Sequence, residues 1–213
     1  MFCGRHLIAA KLRRSNIDGS AGAVEEMERI VGQIRARWPR VKIVLRADSG
    51  FAREALMAWC EANKVDYVFG LARNARLEGR LFDALDEARL LSQANAGQPA
   101  RVFRDFDWST KDSWSRRRRV IGKAEWTGGE ANPRFLVTSL KPAAWRAKPL
   151  YEKRNAVQTS VQPHAARTPG PKIGVAPHPH ANSSRASALR LLDHVDVERH
   201  LQAGLVAIEW RKA

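Results

Sequence analysis

Cysteine, long apolar runs and acidic side chains are all scarce in this sequence, and each scarcity bears on what the chain does. The two cysteines, Cys3 and Cys60, stand far apart and at no metal-ligand spacing. That argues against a disulfide scaffold or a zinc module and fits a reducing compartment. No apolar run reaches the roughly 18 residues that a membrane-spanning helix needs. The opening residues, M-F-C-G-R-H-L, lack the apolar stretch of a signal peptide. The reading is a soluble, cytoplasmic chain with no membrane partner. Acids number 22 against 37 lysines and arginines, a net charge of +15. Such an excess calls for a polyanionic partner, of which nucleic acid is the simplest and an anionic membrane surface the lesser alternative.

What is present is enough for a core, with 44% hydrophobic residues in 213. The chain is organised around Val41 to Phe51, V-K-I-V-L-R-A-D-S-G-F. Val41, Ile43, Val44 and Leu45 leave no room for a helical stripe and read as a buried strand. Asp48 stands where that strand ends, and Ser49 and Gly50 suit a turn. An acid at the carboxyl end of a central strand faces the crevice where α/β sheets do their chemistry. The competing reading is a cap on the helix that follows.

Around this stretch the pattern predicts an α/β unit. Val24, Met27, Ile30, Val31 and Ile34 recur at helical spacing between Ala23 and Trp38, and Pro39 ends the run. A helix with Leu56, Trp59 and Cys60 inward is expected over Ala52 to Asn63, then a parallel strand over Val65 to Leu71. Leu77 to Ala94 reads as one more helix, with Leu81, Leu85, Leu90 and Leu91 apolar. Beyond it, Ala100 to Trp108, Arg118 to Trp126 and Arg134 to Leu140 read as an appended antiparallel meander.

The charge excess concentrates in that meander, with 14 basic and 6 acidic residues between 101 and 154. Trp108, Trp114 and Trp126 flank Arg116, Arg117, Arg118 and Arg119, and Lys123 follows. Arginines pair with phosphates and aromatics stack on bases, so Trp114, the four arginines and Lys123 are the candidate DNA contacts. The alternative is a solvated hairpin whose tryptophans pack on the sheet.

From Asn155 the character changes again. Val161 to Asn182 holds half of the ten prolines and three of the six histidines, without apolar periodicity, and reads as extended or disordered. His164, His178 and His180 have no carboxylate or cysteine nearby to complete a metal site. The spacing of Leu189, Leu192, Val195 and Leu205 allows one helix over Leu189 to Val206. Three regions follow: an α/β core at 1–99, a basic β-rich segment at 100–149 and an aberrant tail at 150–213.

The block R-A-D-S-G-F-A-R-E-A-L-M-A-W-C-E-A-N-K-V-D-Y-V-F-G-L-A-R-N, Arg46 to Asn74, resembles bacterial insertion-sequence transposases of the DDE class. The likeness continues through R-D-F, D-S-W-S-R-R-R-R-V-I-G-K-A-E and N-P-R-F-L-V-T-S-L, covering roughly residues 1–154. It implies a partial ribonuclease-H-like α/β fold with a β-rich insertion. It also implies DNA cleavage and strand transfer at element ends, and Asp48 as the second acid of a triad that holds Mg²⁺. Two such ions about 4 Å apart activate the attacking oxygen and stabilise the leaving one. The partners implied are element-end DNA and a second copy, or an intact transposase.

The sequence departs from that pattern twice. The family's first acid belongs to a strand upstream of the segment resembling Phe2 to Leu12. Its last acid belongs to a helix beyond Tyr151, where Asn155 onward supplies none. Tyr151, Arg154 and Gln158 keep the spacing, but an amide does not replace a metal-binding carboxylate, and Glu152 is a poor substitute. The expectation is therefore a truncated, catalytically incomplete transposase, or a non-catalytic DNA-binding module that competes with an intact one. A phosphate-accepting Asp48 would want a phosphate cradle, which Ser49-Gly50-Phe51 does not offer.

Overall fold

The computed structural model describes residues 1–3, 6–10, 16–144, 146–152 and 207–211. Among the described residues nine strands form one sheet, with a larger core on one face and a smaller one on the other. The strands are β1 (Phe2–Cys3), β2 (His6–Leu7), β3 (Lys42–Ala47), β4 (Asp66–Leu71), β5 (Ala100–Trp108), β6 (Arg118–Thr127), β7 (Glu130–Ala131), β8 (Arg134–Thr138) and β9 (Ala207–Arg211). Their order is β2-β1-β9-β3-β4-β8-β6-β5, with β7 paired to the end of β6.

Period-2 alternation decides which face each side chain serves. Ile43, Leu45 and Ala47 of β3, Tyr67 and Phe69 of β4, Phe135 and Val137 of β8, and Val120 and Ala124 of β6 enter the larger core. Four helices cover that face: α1 (Ala23–Arg37), α2 (Glu54–Ala62), α3 (Ala75–Gly79) and α4 (Phe82–Ala94). The intervening residues Val68, Ile121 and Leu136 enter a smaller core with Leu140, Leu150 and Tyr151. A short helix α5, residues 147–152, supplies the last two.

The α1 expectation matches the fold. Met27, Ile30, Val31 and Ile34 are buried, and Glu25, Glu26, Arg35 and Arg37 sit at the ends that suit the helix dipole. Two other expectations are corrected. Leu77 to Ala94 is not one helix: α3 stops at Gly79, Leu81 turns inward, and α4 buries Ala84, Ala88 and Ser92. Leu90 and Leu91, at 52% and 49% exposure, fall on the outer side. The meander is not set apart from the α/β unit either. β8 bonds antiparallel to β4 from Val68↔Thr138 to Leu71↔Phe135, so the sheet runs unbroken from β3 to β5.

The tail also differs from its expected disorder at one place. Ala207–Arg211 forms β9, antiparallel to β3 over five residue pairs and parallel to β1. The expected helix at Leu189 to Val206 and the proline-rich segment lie outside the described residues.

Two close approaches fix the β6 end of the sheet. The turn after Thr127 uses Gly128 and Gly129 at φ of 59° and 82°, the left-handed pair that a two-residue hairpin requires. Gly122, in the middle of β6, lies under Leu81, and a Cβ there would come within 2.6 Å of the leucine side chain. Gly122→Ala should therefore destabilise the fold by about 1–3 kcal/mol. In chemical denaturation, combining it with Leu81→Ala should cost less than the sum of the two single changes.

Candidate functional site

Asp48 follows the last residue of β3 and starts a 3-10 turn over Ser49–Phe51. Its Oδ1 accepts the Gly50 N–H at 2.9 Å. A Cβ on residue 50 would stand 3.2 Å from that oxygen, so glycine leaves the carboxylate room over its own turn. The two sequence readings thus coexist: Asp48 is a cap and stands at the carboxyl end of an interior strand. Its Oδ2 takes no hydrogen bond among the described residues, and the side chain is half-buried.

One open carboxylate oxygen suits a single ligand to a hard divalent cation. The remaining acids are directed elsewhere. Asp66 begins β4, in register with Val44, so it lies about 13 Å along the strands from Asp48. There its carboxylate accepts the Ser139 hydroxyl at 2.9 Å. Asp18 accepts from Ser20 and from Arg53, just beyond the Asp48 turn, at 2.8 Å. The Ser20 bonds, with Arg53 adding to them, hold the Asp18 carboxyl below its usual range. Among the described residues no three His, Cys, Asp or Glu side chains converge as a metal cluster. These residues by themselves do not fit a two-metal centre.

The candidate DNA contacts divide in two: Arg116 and Arg117 precede β6 and are exposed, whereas Trp114, Arg118, Arg119 and Lys123 are buried and do not face a phosphate. Consecutive strand residues point to opposite faces, so Arg118 and Arg119 do not share one patch. Arg118 turns under α2 with its side chain 2% exposed, bonding Glu54 at 2.7 and 3.1 Å and Glu61 at 2.8 and 3.0 Å. Its guanidinium also lies 5.6 Å from the centroid of Trp114, which is itself buried. Arg119 points to the other face, forks onto Asp105 at 2.5 to 3.1 Å and donates to the Leu140 carbonyl at 2.6 Å. Lys123, on that same face, bonds Glu125 at 2.6 Å and lies over the Tyr151 ring. Arg116 is exposed and pairs with Glu61, while Arg117 is exposed and donates to the Asp107 carbonyl at 3.1 Å.

Burial makes these pairings obligatory, because an unpaired interior charge is far more costly than a paired one. Glu54 and Glu61 lie seven residues apart, two turns along one face of α2, and that spacing was the available signal for the arginine they share. Hydrogen bonds from Arg118 lead the effects that lower the Glu54 carboxyl from 4.5 to about 2. Burial pushes Glu61 up, but bonds from Arg118, Tyr67 and Arg116 outweigh it and leave its carboxyl low.

A carboxyl depressed by folding adds stability above its unfolded pKa and loses it as pH falls toward the folded one. Stability should therefore drop between about pH 4.5 and about pH 2 as Glu54 is protonated. Arg118→Met should cost about 3–5 kcal/mol at neutral pH and reduce that acid-side slope. Urea denaturation of both proteins across the pH range checks it, and an unaltered slope would remove Arg118 as the cause.

The comparisons with known proteins agree with the Asp48 block. No curated protein and no solved structure matches the chain. A family model described as a transposase DDE domain, group 1, matches residues 1–164, which include the Asp48 turn, the sheet from β3 to β8 and α5. With that match spanning most of its 213 residues, the chain belongs to the transposase DDE domain family.

Proposed function

We propose that this chain is a DNA-binding member of an insertion-sequence transposase system in which Asp48 supplies one metal-binding carboxylate and the chain alone does not complete the catalytic centre. The family acts in DNA transposition, with divalent-metal-dependent strand cleavage. The observation that carries the reading is the position of Asp48, at the carboxyl end of β3 with one oxygen open, inside the matched segment. In a ribonuclease-H-like arrangement that is where an acid would meet a metal and a scissile phosphate. Mg²⁺ would draw on Asp48 and on carboxylates from outside the described residues or from a partner chain, and would supply Lewis-acid activation of the attacking oxygen.

Catalytic incompleteness is supported by the commitments of the other acids. Glu54, Glu61, Asp105 and Glu125 hold buried cations, and Asp66 lies toward the far end of its strand. The second reading, a non-catalytic module that competes with an intact transposase for DNA, rests on the same commitments together with the basic surface of the chain.

Purified protein given Mg²⁺ or Mn²⁺ and element-end duplex should bind the DNA without nicking or joining it above background. Nicking that vanishes in Asp48→Ala would overturn incompleteness and keep Asp48 as a ligand. Cleavage that this chain restores to a transposase lacking its own second acid, and that the Asp48→Ala form does not restore, would favour the shared centre over the competitor.

A further inference from the structure

Nine arginines of the described fold pair with carboxylates, and three others that lie near one another do not. Arg76 on α3, Arg80 one residue past its end, and Arg117 just before β6 line a cavity of about 150 Å³ with Asp107, Trp108 and Ser109. All three arginines are exposed, and among the described residues none forms a salt bridge. The nearby Arg104 and Arg116, by contrast, pair with Glu87 and Glu61.

The cluster is assembled by the fold. Arg76 and Arg80 stand four residues apart, one above the other on a helical face. Alternation along β5 turns Phe106 and Trp108 to that same side, with their rings edge-on at 6.4 Å between centroids. The Arg76 guanidinium lies 4.7 Å from the Trp108 centroid, and that of Arg80 lies 5.3 Å from the Phe106 centroid. Each planar cation is thus oriented by a ring while its N–H edges remain available. Arg117 is held from the third side by its bond to the Asp107 carbonyl. The Asp107 carboxylate is the single acid in the lining, so three cations leave the cavity a net positive charge.

We propose that the Arg76, Arg80 and Arg117 cavity is a contact for the DNA phosphate backbone, formed by α3 together with the β5–β6 hairpin. It keeps Arg117 of the Arg116 to Arg119 run and leaves out Arg118 and Arg119, which are engaged inside the protein. Pre-oriented guanidinium groups donate paired N–H bonds to phosphate oxygens, and the small cavity admits one such group rather than a base stack. The proposal rests on the DNA-binding reading of the family, and its test separates the two.

The full chain is titrated with a short mixed-sequence DNA duplex over a range of salt, followed by fluorescence anisotropy. Arg76→Ala/Arg80→Ala/Arg117→Ala should bind about tenfold more weakly. Its plot of log affinity against log salt should be shallower by about 0.9 for each phosphate no longer neutralised. A control, Arg37→Ala/Arg40→Ala/Arg134→Ala, removes the same exposed charge elsewhere and should retain more of both. Arg76→Lys keeps the charge but not the planar fork on Trp108, and should fall between wild type and the triple variant. Equal losses in the two triple variants would reduce the cavity to general charge and overturn the proposal. Unchanged affinity and slope in the cavity variant would do the same while leaving DNA binding intact. If the unaltered chain fails to bind duplex at all, the DNA-binding reading falls first and the cavity with it. Circular dichroism and thermal melting confirm that each variant is folded before binding is compared.

Discussion

The fold depends on keeping β6 buried on both faces at once. All eight residues from Arg118 to Glu125 are buried, and four of them are charged: Arg118, Arg119, Lys123 and Glu125. Interior charge at that density is tolerable only where each group meets an opposite one. Arg118 therefore fixes α2 through Glu54 and Glu61, Arg119 fixes β5 through Asp105, and Lys123 and Arg101 converge on Glu125. Burial pushes the Glu125 carboxyl up, and its bonds from Lys123 and Arg101 more than compensate, leaving it low and ionised. The strand thereby specifies the register of β5 and the seating of a helix from the same row of residues.

This arrangement changes what a net charge of +15 means. A basic total measures the whole chain and does not distinguish a guanidinium held by two carboxylates from one facing water. The local count between 101 and 154 is strongly positive, yet Arg118, Arg119 and Lys123 within it lie inside the protein. Exposed cations are instead spread over elements far apart in sequence, Arg76 on α3 and Arg117 before β6 among them. Electrostatic attraction over a Debye length of about 8 Å sums such charges regardless of their origin in the chain. Contact with a phosphate depends on which of them have free N–H edges.

Local patterns made much of the fold legible. The apolar residues of β3 and β4 and the three- and four-residue spacing in α1 depend on burial of nearby side chains, so periodicity reports them directly. The strand limits at Ala100, Trp108, Arg118 and Arg134 were equally readable, because turns and glycines bound them. The break between α3 and α4 was not, since Leu81 continues a helical apolar spacing while its side chain follows Gly122 on another strand. β9 was hidden for a related reason: five residues at 207–211 form a strand only by pairing with Lys42 to Arg46. The burial of Arg118 and Arg119 was not legible, because composition ignores the alternation that sends these two strand neighbours to opposite faces. The turn at Asp48 was legible because a strand end, an acid and a turn glycine fall within five residues.

Sheet direction then limits which acids can join Asp48. β3 and β4 are parallel, so groups at the carboxyl end of one strand share an edge with the carboxyl end of the other. The Asp66 carboxylate belongs to the opposite edge and cannot reach without breaking its strand pairing. β9 runs antiparallel to β3, with Ala207 opposite Arg46, so its amino end lies toward the Asp48 edge. Asp18 is drawn toward the same side through Arg53, in the segment just after the Asp48 turn. In the proposed reading, an acid joining Asp48 would come from this edge or from another chain, because Glu54, Glu61, Asp105 and Glu125 on the sheet faces are committed to the arginines and lysine that make the double burial of β6 possible.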